Sequence, residues 1–204
     1  MNVPRAAAIL ATLLVSVAAV PDDLGSSLQS MAASYYRHAG EVASVTGADT
    51  AMDYYDRLLD DAASLREHAP SRYPAELWES SRRAAAQLDL SLAAQLVQRS
   101  YQPMAVIRGL GETFVRSSKD GTLQPVAVYV PTGYSAGKPA PLIVFLHGNQ
   151  QAESHLLASE NLRQLAESTG TIVVAPYGRG AYDFRGVESD VYDAYEAAGR
   201  AFAI

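Results

Sequence analysis

The stretch Pro141-Leu142-Ile143-Val144-Phe145-Leu146-His147-Gly148-Asn149-Gln150 decides how this chain folds. Its apolar residues run without a break from Leu142 to Leu146, whereas a strand with one solvent face would alternate apolar and polar residues. An unbroken run of this kind predicts a strand that is buried on both faces of a mostly parallel sheet. The polar, glycine-bearing residues that follow predict a loop at the strand end, where α/β folds place ligands and chemistry.

Downstream of this stretch the pattern repeats once. A second strand is predicted over Ile172 to Ala175, after a helix at Ser159 to Ser168 that Gly170 closes. The next helix is predicted to begin with Ser189 as its N-cap and Asp190 in its first turn. Strand, helix, strand and helix in this order predict two parallel strands joined by a right-handed crossover.

Upstream of it, two segments predict a β-hairpin. Glu112 to Ser117 and Thr122 to Val130 read as strands joined around Asp120-Gly121. Within the second segment, Val126, Val128 and Val130 alternate with Ala127 and Tyr129. A leading hairpin followed by parallel strands with crossover helices predicts an α/β fold over residues 109–204.

Residues 20–108 have a different character, because their apolar residues recur at helical spacing. Thr50 and Asp53 resemble a capping box that opens one helix, and Pro70 and Pro74 are expected to end it. A second long helix is predicted from about Ala75 to Ser100, with an apolar stripe that needs a partner. That stripe consists of Leu88, Leu92 and Leu96. The sequence therefore predicts an all-helical region before the α/β part.

The first residues predict export. Arg5 is followed by an uncharged stretch from Ala6 to Val20, with small residues at Ala18 and Ala19, which is typical of a secretory signal peptide over residues 1–19. The run is shorter than the ~20 apolar residues of a spanning helix, so no membrane span is expected after signal removal. We expect a secreted or periplasmic protein.

Composition excludes several classes of protein. At 204 residues and 49% hydrophobic content the chain can bury a core, so it is not intrinsically disordered. Binding to the phosphates of a nucleic acid needs a basic surface, and the chain has a net charge of −6, so no nucleic-acid partner is expected. With no cysteine, the chain has neither disulfides nor a thiolate for catalysis or metal binding.

Together these elements resemble the α/β-hydrolase fold over about Gly109 to Ile204. The features that carry the resemblance are the hairpin, the strand ending in Phe145-Leu146-His147-Gly148, the strand ending in Ala175-Pro176, the glycines of the following loop, and Asp190-Val191 opening the next helix. The relatives with similar features are secreted esterases of the polyhydroxybutyrate-depolymerase and feruloyl-esterase type and prolyl-oligopeptidase-like peptidases. Residues 20–108 resemble no family that we can name.

The resemblance implies an oxyanion hole at the loop after the first apolar strand. In that family the loop supplies one backbone N–H, aimed at the oxygen on which negative charge develops. By position, Asn149 would be the donor, while His147 and Gly148 would shape the turn. Many relatives carry more glycine at this point, so Asn149-Gln150 departs from the pattern. The alternative is an ordinary strand-to-helix loop.

One segment, Gly133 to Gly137, formally matches the G-x-S-x-G pattern of a nucleophile elbow through Ser135. An elbow needs a helix directly after the serine, and Pro139 and Pro141 prevent one. The segment also precedes the His-Gly strand, whereas the family places its serine after it. We therefore predict a surface loop with no catalytic role.

No cofactor and no metal ion are expected. Gly178 and Gly180 lack the third glycine of a dinucleotide fingerprint, and Arg179 between them is expected to contact substrate or a neighbouring loop. Asp183, Glu188 and Asp190 could cluster, but no histidine joins them at metal-ligand spacing. The remaining histidines, which are interpreted as ordinary surface residues rather than triad members, are His38, His68 and His155.

The sequence thus predicts a secreted serine hydrolase that acts on a small-molecule ester or peptide substrate, present here as an inactive amino-terminal fragment that lacks the nucleophile, acid and histidine of the triad. The alternative is a non-enzymatic secreted helical binding or packing module with a remnant α/β domain. A flavodoxin-like cofactor binder is a third class, but no phosphate cradle supports it. Substrate and oligomeric state are not specified by the sequence.

Overall fold

The computed structural model of the protein describes residues 23–71, 73–148, 151–180 and 184–204, with the backbone alone at 180 and 184–187. The predicted signal peptide lies outside these residues. The chain has a mixed α/β fold with a four-stranded mixed sheet. Its elements are α1 (Leu24–Arg37), α2 (Ala39–Thr46), α3 (Ala48–Ser64), α4 (Ala75–Gln98), β1 (Gly109–Arg116), β2 (Leu123–Val130), β3 (Leu142–Val144), α5 (Glu153–Leu157), α6 (Glu160–Thr169), β4 (Ile172–Pro176) and α7 (Phe184–Ala201).

The sheet has the order β1-β2-β4-β3. β1 and β2 form the predicted antiparallel hairpin, β2 is antiparallel to β4, and β3 is parallel to β4. Both the hairpin and the parallel pair predicted from the sequence are therefore confirmed. α6 also lies where it was predicted, between Ser159 and Gly170, and Gly170 adopts the left-handed conformation (φ +67°) that favours glycine at a helix end.

Both faces of the sheet are covered. The valines of β2 pack with Ile172, Val174 and the apolar face of α7, which includes Ala194, Ala198 and Phe202. On the other face, Ala127 and Tyr129 pack with residues of α5 and α6. The alternation read from β2 thus separates two buried faces, and every residue of β2 is buried.

The strand β3 differs from its prediction. It lies at the edge of the sheet, and Ile143 is 49% exposed, Phe145 37% and Leu146 59%. The prediction of a strand buried on both faces is wrong because only β4 pairs with β3 in the described part of the chain. An edge strand this apolar leaves backbone groups and side chains available to a further strand.

The helical part forms one core of its own, into which Tyr177 from the loop after β4 also packs. The predicted stripe of α4 is buried, and so are Tyr54, Leu58 and Ala62 on one face of α3. In the described part of the chain, no helix is long and apolar enough to span a membrane.

The boundaries of α3 differ from those predicted. Gly47, at φ +88°, lets the chain turn directly from α2 into α3, so the helix begins at Ala48 and Thr50 lies inside its first turn rather than capping it. The helix ends at Ser64, before the prolines, so Pro70 does not terminate it. Pro74 instead occupies the N-cap of α4.

Candidate functional site

The carboxyl ends of β3 and β4 lie side by side. Leu142 pairs with Ile172 and Val144 with Val174, and the Phe145 N–H donates to the Val174 carbonyl at 2.8 Å. Because the two strands are parallel, the loops that follow them leave the sheet at the same edge. This edge is where the sequence places its candidate oxyanion loop.

His147 joins these two loops. Its Nε2 lies 2.8 Å from the Tyr177 carbonyl oxygen, and its Nδ1 lies 3.0 Å from the Gly148 carbonyl oxygen. A neutral imidazole has one N–H to donate, and here both ring nitrogens face carbonyl oxygens. His147 therefore holds the loops together and does not present a free nitrogen to accept a proton from substrate.

The glycine required by backbone conformation at this edge is Gly178. It adopts φ +62°, and a Cβ there would lie 3.8 Å from His147 Nε2. Gly148 is not in the left-handed region, and its N–H donates to Gln151 Oε1 at 3.0 Å. The predicted oxyanion donor, Asn149, lies outside the described residues, so its role stays a prediction.

Arg179 follows Gly178 and is held by a neighbouring loop. Its guanidinium contacts Asp190 (Nε to Oδ2, 2.5 Å), Asp120 in the hairpin turn (2.5 Å) and Ser117 Oγ (2.8 Å). These hydrogen bonds to Arg179 hold the pKa of the Asp120 carboxyl well below its usual range. With its donors engaged in this way, Arg179 is not available to substrate, and of its two predicted contacts the neighbouring loop is the observed one.

The role predicted for Asp190 is wrong. α7 begins at Phe184, so Ser189 is not its N-cap and Asp190 lies in its second turn rather than its first. Asp190 there accepts hydrogen bonds from Ser117 and Arg179. The reason is that the ion pair with Arg179 buries the carboxylate against the hairpin. Glu188 is exposed, and Asp183 lies outside the described residues, so the proposed carboxylate cluster is not assembled by the described side chains.

A second polar site lies between the helical part and the α/β part. Arg57 of α3 donates both terminal nitrogens to the Glu153 carboxylate of α5, at 3.0 and 3.1 Å. The guanidinium also lies over the rings of Tyr54 and Tyr177, 4.5 and 5.0 Å from their centroids. Such a bidentate, aromatic-stacked pair in a dry environment fixes both side chains firmly.

Two further carboxyl groups surround this pair. The Tyr54 hydroxyl donates to Glu153 and lies 3.3 Å from Glu112 Oε1 of β1. Asp89 of α4 lies 3.9 Å from Arg57. Burial raises the pKa of the Asp89 carboxyl and that of the Glu112 carboxyl, each well above the usual range for its residue type. Burial opposes the charge on Glu153 as well, but Arg57 and Tyr54 more than offset it and lower the pKa of that carboxyl.

His155 belongs to the same region. Although its side chain is 53% exposed, its Nε2 lies 3.3 Å from Asp61 Oδ1 of α3, and this hydrogen bond raises the pKa of His155. Asp61, Asp89 and His155 each offer a ligand atom, and these atoms all lie within 4.8 Å of one another. His155 is interpreted from the sequence as an ordinary surface histidine, but in the structure it is paired with the buried Asp61.

Sequence reasoning missed this second site entirely. Its residues come from α3, α4, β1 and α5, which are far apart in the chain, and no motif spacing links them. The available signal was the placement of polar residues on otherwise apolar faces. Asp61 lies next to Ala62 on the buried side of α3, and Asp89 lies next to Leu88 on that of α4.

The comparisons with known proteins give a likeness to solved structures only. No family model and no curated protein matches the chain. Among solved structures, part of the chain is similar to a CE1 ferulic acid esterase from Anaeromyces mucronatus, determined in complex with ferulic acid, with a TM-score of 0.32 and 19% sequence identity. The likeness covers 47% of this chain and 43% of that one, so the chain spans less than half of the esterase's length.

Proposed function

We propose that the chain contributes the oxyanion side of a serine hydrolase that cleaves ester or peptide bonds after export from the cell. The observation that carries the proposal is the edge strand β3. It is parallel to β4, it ends in the His147-Gly148 loop, and it leaves Ile143 and Leu146 exposed. A neighbouring strand on this edge would deliver a nucleophilic serine beside that loop. The hydrolase class itself comes from the sequence resemblance.

The loop can act on the developing charge through its backbone. In acyl transfer the serine oxygen attacks the carbonyl carbon, its proton passes to a histidine, and the carbonyl oxygen becomes an oxyanion that needs fixed N–H donors. Gly148 already donates its N–H to Gln151. The donor in this proposal is therefore the backbone N–H of Asn149, and His147 positions the loop that carries it.

The proposal assigns no catalytic role to Ser135. This serine is exposed in a loop after β2, where the Lys138 N–H donates to the Ser135 carbonyl in a tight turn and no helix follows. The serine that the resemblance requires would follow a strand paired with β3. The other elements of the triad would lie beyond that serine in the same domain.

Assays of the 204-residue chain test this assignment. We expect no hydrolysis of p-nitrophenyl acetate above a heat-denatured control, and the same rate for Ser135→Ala as for the unchanged chain. Turnover that Ser135→Ala abolishes would contradict the proposal, because it would place the nucleophile in the loop after β2. A matched control is Ser118→Ala, in the hairpin turn.

A second candidate function has structural support of its own, because the helical part packs tightly on the α/β part. Arg57 and Glu153 join the two through a buried bidentate pair, and the Tyr177 hydroxyl donates to Asp53 at 2.7 Å. These contacts favour a packing module that covers the α/β domain over a helical module with a free binding surface. The substitution at Arg57 described in the Discussion tests this role.

A further inference from the structure

Three side chains from three different helices converge at the second polar site. Asp61 comes from α3, Asp89 from α4 and His155 from α5. One nitrogen and two carboxylate oxygens lie within 4.8 Å of one another. Two ligands on opposite sides of a divalent cation stand ~4 to ~5 Å apart, given metal–ligand distances of about 2.0 to 2.6 Å. The three atoms therefore already lie at separations that one cation can span.

Three of the four carboxylate oxygens of Asp61 and Asp89 have no hydrogen-bond donor, and the fourth, Asp61 Oδ1, contacts His155. Asp89 is fully buried, and neither of its carboxylate oxygens accepts a hydrogen bond. Oδ2 of Asp61, a side chain that is 5% exposed, also has no hydrogen-bond partner. A buried carboxylate without a donor is costly, so such a side chain is ordinarily paired or bound to a metal.

If every buried acid of this region is ionised, the nearby cations do not balance them. Four carboxyl groups are buried in this region, and Arg57 is the permanent cation among them, bound bidentately to Glu153. His155 can add at most one more positive charge. The four acids are Asp61, Asp89, Glu112 and Glu153. A divalent cation beside Asp61 and Asp89 would let both carboxyl groups be ionised, because it would supply positive charge at the point where the oxygens lack donors.

An open cleft leads to the site. It has a volume of about 470 Å³ and is lined by both Asp61 and His155. At its wall Asp60 adds negative charge, while Glu67 is paired with Arg82 at 3.0 Å. A cation can therefore reach the ligands, and water can complete its coordination from the cleft side. A three-residue ligand set with an open position is the arrangement that binding sites with exchangeable ligands use.

We propose that Asp61, Asp89 and His155 bind one divalent cation of the class that accepts mixed imidazole and carboxylate ligands, represented by Zn²⁺ or Mn²⁺. Two carboxylates favour a hard or borderline ion, and the imidazole disfavours Mg²⁺ and Ca²⁺. The site lies between the helical part and the α/β part, so a bound cation would link α3 and α4 to α5. This assignment is independent of the proposed hydrolase chemistry.

Titration calorimetry with Zn²⁺ tests the site on the untagged, EDTA-stripped chain, with Mg²⁺ as the comparison ion. We expect one Zn²⁺ per chain and little or no Mg²⁺ binding. Asp89→Asn and His155→Gln should each weaken Zn²⁺ binding by more than ~10-fold, since even residues that only orient metal ligands are worth ~10 to ~100-fold. His68→Gln, at an exposed histidine on the loop after α3, should leave the affinity unchanged.

A thermal unfolding series separates metal binding from a structural role. Without metal, Asp89→Asn should unfold at the same or a higher temperature than the unchanged chain, because it removes a buried unpaired carboxylate. With Zn²⁺, only the unchanged chain and His68→Gln should gain stability. The proposal is overturned if the unchanged chain shows no saturable Zn²⁺ binding, or if both ligand substitutions leave that binding intact.

Discussion

Replacing Arg57 with methionine is expected to lower the free energy of unfolding by about 3–5 kcal/mol, the usual cost of removing one partner from a buried ion pair. The Arg57 side chain is 13% exposed and Glu153 is fully buried, so solvent cannot replace the lost guanidinium. Asp89 and Glu112 would also lose their nearest permanent cation. The measurement is urea-induced unfolding followed by circular dichroism.

Two further variants sharpen this prediction. Arg83→Met changes an exposed arginine on α4 and should shift stability by no more than ~0.5 kcal/mol. The double substitution Arg57→Met with Glu153→Met should recover part of the loss, because replacing a whole buried pair is better tolerated than breaking it. If Arg57→Met behaved like Arg83→Met, the buried pair would not join the two parts of the protein.

The stability of the metal-free chain is expected to fall as the pH rises above about 4 to 4.5, relative to a variant carrying Asp89→Asn and Glu112→Gln. Burial raises the pKa of both carboxyl groups, so the native state keeps protons that the unfolded state has released. Their contribution is fully present below the unfolded pKa values and is lost as the pH passes through the raised ones. Each pKa unit by which the native value exceeds the unfolded value lowers the free energy of unfolding at high pH by about 1.4 kcal/mol.

The comparison isolates these two groups, because their charged neighbours are the same in both proteins. Those neighbours are Arg57, Asp61, Glu153 and His155. Urea unfolding in EDTA from pH 4 to pH 8 should show the free energy of unfolding of the variant rising relative to that of the unchanged chain as the pH increases above the unfolded pKa values. Asp56→Asn with Glu79→Gln, two exposed acids on α3 and α4, is the matched control. Parallel curves for the variant and the unchanged chain would contradict this account of the buried acids.

Local patterns in the sequence predict much of the fold. Three of its features are each set by residues close together in the chain. They are the alternation in β2, the turn at Asp120-Gly121, and the boundaries of α6 at Ser159 and Gly170. The structure confirms these elements because their determinants are local. The position of β3 depends instead on which strands pair with it, and no periodicity within Leu142 to Leu146 contains that information.

The candidate sites show the same division. The His147-Gly148 loop is visible in sequence, because it follows an apolar run directly. The expectation that the chain binds no metal rests on the sequence, in which no histidine joins the acidic residues at metal-ligand spacing. Asp61, Asp89 and His155 come from three helices, so only the fold brings them together. Likewise, the sequence predicts Asp190 in the first turn of a helix, and only the fold places Arg179 against it.

The central claim is that β3 and the loop after it form the oxyanion side of a serine hydrolase. The most direct test is ester hydrolysis by a chain extended with the residues encoded after Ile204. We predict that those residues contain an apolar strand followed by G-x-S-x-G, and that the extended chain hydrolyses p-nitrophenyl acetate until that serine is replaced by alanine. A stop codon directly after Ile204, or an extended chain without esterase activity, would contradict the claim.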